Sequence, residues 1–148
     1  MAKTLVKGPT GAPSRVVTLK RRSEFQRIRK GARWATPAFV LEARERADEE
    51  RAPLHPRFGF TITRNVGKAV ERNRMRRRLK AAVRSVQGDH ARQDFDYVLI
   101  ARRSALDSAF AALVSDLATA LDRVNKAAMR ARRGGAARPL EATRTGKT

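Results

Sequence analysis

The 148 residues of this chain include no cysteine, two histidines, one tryptophan and one tyrosine, and only 14 acids stand against 34 Lys plus Arg. Without cysteine there is no disulfide, no thiolate zinc site and no cysteine nucleophile. The apolar runs fall far short of the roughly 20 residues that cross a bilayer, and the first turns of chain hold nothing resembling a secretory core. A cytosolic protein that meets no membrane is therefore expected. His55, beside Pro56, and His90, after Gly88 and Asp89, fall in a loop and a linker and form no acid–base pair. Asp48, Glu49 and Glu50 cluster in Ala47 to Pro56, a segment with two prolines that reads as a solvated loop, so they read as a solubilising patch. No Gly-rich phosphate loop, Ser-His-Asp set or hydrolase elbow occurs. The chain offers no catalytic residue and no metal site, and no protein-bound cofactor is expected.

Positive charge is what the chain has in excess. A formal charge of +20 and a pI near 11.8 repel the protein from its own copies, which favours a monomer, and call for a polyanionic partner. Nucleic acid is the default choice. The charge is concentrated in Arg64 to Arg84, where nine Lys or Arg accompany a single acid, Glu71. This segment reads as helical. At about 100° per residue, Met75, Leu79, Ala82, Val83 and Val86 share one narrow face, which must pack on the protein. Asn73, Arg77, Lys80 and Arg84 recur on the opposite side, flanked by Arg74, Arg76 and Arg78. A helix selected only for solubility would interleave Glu with Lys to gain i,i+4 pairs, and this one does not. Guanidinium groups grip phosphate oxygens bidentately at low desolvation cost, so the stripe reads as a phosphate-binding surface.

Residues 1–18 and 132–148 read as basic tails around one domain over 19–131. Ser23 and Gln26 form a predicted capping box for a short helix over Glu24 to Lys30, stopped by Gly31. Ala38 to Arg46 and Arg57 to Arg64 read as strands, the second alternating Phe58, Phe60 and Ile62 with Gly59, Thr61 and Thr63. Phe95 to Ala101 is a short, almost continuous apolar run suited to a buried strand. Two strands joined through the basic helix imply parallel pairing. Ser104 to Met129 carries helical apolar spacing, with Ser104 and Asp107 as its capping signal. The expected fold is a two-layer α+β sandwich: helix, two strands (three if one bends), basic helix, strand, helix, around a small mixed sheet.

At this point RNVGKAVERNRMRRRLK, centred on Arg72-Asn73-Arg74, resembles the signature of the bacterial ribonuclease P protein subunit. The preceding FGFTITR, the following DYVLIAR and the terminal helix fit as well, over roughly Leu19 to Val124. The resemblance implies a protein that binds a catalytic RNA and helps it remove the 5′ leader of precursor tRNA, with Mg²⁺ expected on the RNA. It also implies a left-handed crossover through the basic helix, against the usual rule. Catalytic-RNA contact is implied for Arg64, Asn65, Lys68, Arg72, Asn73, Arg74, Arg76, Arg77, Lys80 and Arg84, with Asn65 standing where relatives often carry Lys.

The resemblance further implies a cleft between the first helix and the sheet that receives the single-stranded leader, where aromatic faces hold bases and cations hold backbone. Phe25 matches the aromatic of the first helix. Arg29 and Glu42 stand where some relatives carry further aromatics, and Arg29 can stack its guanidinium plane or hold a phosphate instead. Phe39, Phe58 and Phe60 either line the sheet side of the cleft or belong to the core, since alternating Phe in a strand serves both ends. Trp34 reads as a packing residue. A structural RNA-binding protein of ribosomal type and a metal-dependent protein nuclease are the alternatives; the first needs no leader cleft, and the second needs a carboxylate set that the sequence does not offer.

Overall fold

A strand apolar on both faces has to be covered on both, and β5 (Phe95–Ala101) is such a strand. In the computed structural model, which describes residues 16–29, 31–47 and 54–134, it lies at the centre of a five-stranded sheet. It pairs in parallel with β4 (Arg57–Thr61) and antiparallel with β3 (Phe39–Glu45). β1 (Val17–Thr18) runs parallel to β4 at one edge and β2 (Ala32–Ala35) antiparallel to β3 at the other, giving the order β1-β4-β5-β3-β2. The helices are α1 (Arg22–Ile28), α2 (Ala69–His90) and α3 (Phe110–Gly134). The protein is thus an α+β sandwich, with β4, α2 and β5 forming the parallel crossover.

The period of two along each strand sorts side chains onto two different layers. Phe58, Phe60, Phe95, Tyr97, Leu99, Phe39, Leu41 and Ala43 face α2 and α3, meeting Met75, Leu79, Val83, Leu113, Leu117 and Leu121 in the main core. Phe58 stacks on Tyr97 with ring centroids 5.0 Å apart. Val98 and Ile100, one residue out of phase, face the other way and pack with Leu19, Phe25 and Ile28 under α1. Trp34 packs against the main core from the edge strand and carries Arg123 over its ring at 5.2 Å.

One end of the sheet is joined by charge. Asp96 accepts from Arg46 (2.6 Å) and, through both oxygens, from Arg57 (2.8 and 2.7 Å), and Arg57 reaches Glu24 of α1 (3.3 Å). Arg46 is almost wholly buried and also donates to the carbonyls of Phe95, His55 and Gln93. Burial works against the Glu24 carboxylate, yet the N–H groups of Arg21 and Lys20 together with Arg57 keep it a stronger acid than usual.

Several element boundaries differ from the sequence expectation. Glu24, not Gln26, closes the start of α1 by accepting from the N–H groups of Lys20 and Arg21, so the helix begins at Arg22. Val17 and Thr18, assigned to a tail, form β1 against Arg57 and Phe58. Residues 64–66 form a 3₁₀ turn, and α2 begins only at Ala69 and runs on to His90, so this histidine ends a helix and meets Asp122 at 2.9 Å. Ser104 does not cap α3: it sits in a second 3₁₀ turn (Arg103–Ala105), its hydroxyl donating to Pro37 O, and α3 extends beyond residue 131 to Gly134. The acidic cluster Asp48 to Glu50 and the tails at 1–15 and 135–148 lie outside the described residues.

Candidate nucleic-acid interface

After β4 the chain turns through Arg64–Val66, passes Gly67 and enters α2 at the N-cap Lys68. Side chains hold this turn from below. Glu71, in the first turn of α2, accepts the Lys68 N–H (2.9 Å), while Arg103, from the turn after β5, donates through Nη1 to Glu71 Oε1 (2.9 Å) and Val66 O (2.9 Å) and through Nη2 to Glu71 Oε2 (3.1 Å). Arg72 closes the other side, donating to Gly67 O at 2.7 Å. A Cβ on Gly67 would stand 2.6 Å from Arg103 Nη1 and 2.7 Å from Glu71 Oε1, so glycine is what lets the ion pair come up against the backbone. The Arg103 hydrogen bond, helped by the Lys68 N–H, holds the Glu71 acid down at about 2.

The arginines of α2 divide into two sets by where they end. Arg78 donates from Nε to Ala105 O (3.1 Å) and from Nη2 to Ser108 O, and Arg74 reaches toward Leu106 O at 3.5 Å. With Arg72 they fasten α2 to its own turn and to the segment after β5. Arg76, Arg77, Lys80 and Arg84 make no ion pair or hydrogen bond among the described residues, and Arg76, Arg77 and Arg84 are exposed, as are Asn73, Arg64, Asn65 and Lys68. Met75, Leu79, Ala82, Val83 and Val86 are buried on the opposite face. Asn65 receives the Thr63 hydroxyl on Oδ1 at 2.6 Å, which orders the start of the turn. The structure therefore brings Asn73, Arg76, Arg77, Lys80 and Arg84 to one outward stripe of α2 and leaves Arg64, Asn65 and Lys68 exposed on the turn that precedes it, while Arg72 and Arg78 are turned to internal carbonyls and the exposed Arg74 leans toward Leu106 O.

The second expected surface is rearranged. Phe25 is half-buried and lies across Gly59 on the α1 side of the sheet, with Arg29 exposed just past the end of that helix. Phe39 and Phe58 are not beside it: both are 0% exposed on the opposite face, and Phe60 packs against that same core. The reason is strand parity. Residues on the α1 side of β4 are Arg57, Gly59 and Thr61, so any cleft there is lined by Thr61, Val98, Ile100 and Val40 rather than by sheet phenylalanines. Glu42 stands on this side too, 3% exposed and paired with Arg33 at 3.1 Å; burial raises its acid, with Arg33 and Arg29 pulling the other way. The alternation already written in FGFTITR could have placed Thr61 here, once Phe58 was assigned to the core. Arg103 carried no such signal, because its partner lies 32 residues away.

Carboxylates near both surfaces are engaged as partners of arginine: Glu24 and Asp96 with Arg57, Glu42 with Arg33, Glu71 with Arg103. Among the described residues no group of three or more His, Asp or Glu is placed to hold a metal ion, and no helix is long and apolar enough to cross a membrane.

A packed helix that presents unpaired arginines outward from an α+β sheet defines a basic, RNA-binding type of protein. A family model described as Ribonuclease P matches residues 14–125, and the chain belongs to this family. It is 42% identical over 106 residues to the ribonuclease P protein component of Brucella suis, covering 69% of this chain and 75% of the relative. To that of Paramagnetospirillum magneticum it is 39% identical over 112 residues, covering 75% and 84%. Among solved structures, the RNase P protein from Thermotoga maritima superposes with a TM-score of 0.61 at 26% identity, covering 72% of this chain and 96% of that one. The Staphylococcus aureus RNase P protein gives 0.57 at 27% identity, covering 76% and 94%.

Proposed function

We propose that this chain serves a ribonucleoprotein endonuclease as its noncatalytic subunit, seating the outward stripe of α2 and the turn before it on the catalytic RNA and holding the 5′ leader of precursor tRNA along the α1 side of the sheet. Cleavage of the leader belongs to the RNA and its Mg²⁺, and the protein alone is inactive. The observation that carries this reading is the set Arg76, Arg77, Lys80 and Arg84, which have no partner among the described residues on a helix whose other face is fully packed. Four outward cations on one helix can neutralise phosphates and so reduce the repulsion between two polyanions. Phe25, beside the exposed Arg29, supplies the aromatic and cation that a single strand requires. Contact with the leader is absent from the mature product, so it favours substrate over product as well as adding affinity. A monomeric cytoplasmic protein fits this work.

The test is cleavage of a 5′-extended precursor tRNA at low Mg²⁺ by protein alone, by a bacterial catalytic RNA alone, and by both. Activity that appears only in the mixture supports the proposal. Cleavage by the protein alone overturns it, and no stimulation of the RNA would leave a structural RNA-binding protein as the better account.

A further inference from the structure

Glu71 is the one acid among the nine cations of Arg64 to Arg84, and on electrostatic grounds alone an acid there weakens the attraction for RNA. Its carboxylate is nevertheless fully engaged, taking the Lys68 N–H and two donors from Arg103. The backbone of the turn it underlies is loosely bonded to itself: no residue of Arg64–Val66 is buried, and Val66 N–H to Thr63 O and Gly67 N–H to Arg64 O are long at 3.2 and 3.3 Å. Side chains therefore fix its shape, Arg72 on Gly67 O and the Thr63 hydroxyl on Asn65 beside Glu71 and Arg103, with Val66 resting on the core. Arg103 has a side chain 57% exposed, yet it is tied to Val66 O as well as to Glu71. Gly67 leaves the space that this contact needs.

We infer that Glu71 and Arg103 are positioning residues for RNA binding, a clamp that holds the turn from Arg64 to Lys68 in its binding shape, so that the lone acid of the basic surface strengthens the attachment to RNA. This rests on the reading of α2 as the RNA-binding helix. The pair adds no net charge to the surface. What it adds is order: a turn held at Val66 O and at the Lys68 N–H by a pair that is itself doubly bonded presents Arg64 and Lys68 without the entropy loss that a loose turn would suffer on binding.

The two ways in which Glu71 could influence RNA binding differ in sign, which makes the inference testable. Removal of a negative charge from a phosphate-binding surface should tighten binding if charge alone matters. Removal of a clamp should loosen it. The experiment measures binding of the full chain to a bacterial ribonuclease P RNA across a salt series, for the native protein, Glu71→Gln, Arg103→Lys and Arg77→Ala, with thermal unfolding of each as a control on folding.

Glu71→Gln is expected to weaken binding on the order of tenfold despite its added net positive charge, the scale of coupling between groups in one network. Its salt slope should fall by about 0.7–0.9 for each phosphate that the loosened turn no longer engages, although no cation has been removed. Arg103→Lys keeps the charge but cannot reach three acceptors in fixed geometry, and should weaken binding in the same direction. It also decides the matter should Glu71→Gln fail to fold. Binding by both variants that is unchanged or tighter, with Arg77→Ala weakened, overturns the clamp and leaves the helix assignment standing. Binding unaffected by Arg77→Ala overturns the helix assignment and the clamp with it.

Discussion

Phe25 lies so close over Gly59 that a Cβ at position 59 would stand 2.5 Å from its Cε2 and 2.6 Å from its Cζ. The aromatic ring of α1 thus rests directly on the sheet backbone, and the glycine sets the depth at which it sits. Gly59→Ala is expected to lift the ring and α1 with it, at a cost of about 1–3 kcal/mol, the usual range for an overpacked contact. Chemical denaturation of the variant measures that loss.

Phe25→Ala removes the ring and leaves α2 untouched. Affinity for the catalytic RNA should hold, while the preference for precursor over mature tRNA should fall by about 1–3 kcal/mol if one base stacks there. Equal losses on both ligands would instead show that Phe25 is only a packing residue.

The division of the α2 arginines predicts opposite phenotypes for neighbours in sequence. Arg77→Ala should lower the salt slope of RNA binding by about 0.7–0.9 and leave the melting temperature unchanged, because its guanidinium has no internal partner among the described residues. Arg78→Ala should lower the melting temperature, since it removes the donor to Ala105 O and Ser108 O, and should barely change the slope. A slope that falls equally in both variants would refute the division.

Asp96 stands between the buried Arg46 and the partly buried Arg57. Asp96→Asn would take the negative charge out of a contact shared by two guanidinium groups, one of them buried, and losses of about 3–5 kcal/mol are typical when one member of a buried pair is removed. Equilibrium unfolding in urea should register the loss, and RNA affinity of the folded fraction should be unaffected.

The acidity of Glu71 predicts a pH range for the clamp. Its folded-state value of about 2 lies below the ordinary 4.5, so whatever stabilisation it supplies is fully present above 4.5 and is lost as pH falls through about 2. The difference in melting temperature between the native protein and Glu71→Gln should therefore stay constant from pH 7 to pH 5, and shrink only in stronger acid. A difference that disappeared between pH 7 and pH 5 would contradict the ion pair.

The buried face of α2 was readable from sequence because helical period is a local property: Met75, Leu79, Ala82, Val83 and Val86 lie on one face whatever the rest of the chain does, and all five are buried. The strand β5 was readable for a similar reason, since a run apolar at every position but Asp96 has to be covered on both faces. The sequence by itself also determined the excess of cations, their concentration on one helix, and the shared side of Phe58 and Phe60. Tertiary structure alone decided which way each of these features points. Phe58 and Phe60 share a face by parity, but only the packing of α1 on the other side shows that this face is core. Arg76 and Arg78 are chemically identical, and only the approach of the segment after β5 turns one of them inward to backbone carbonyls and leaves the other facing outward. Arg103 and Glu71 stand 32 residues apart, and a contact made across that separation follows from how β4, α2 and β5 are folded together, for which local pattern carries no record.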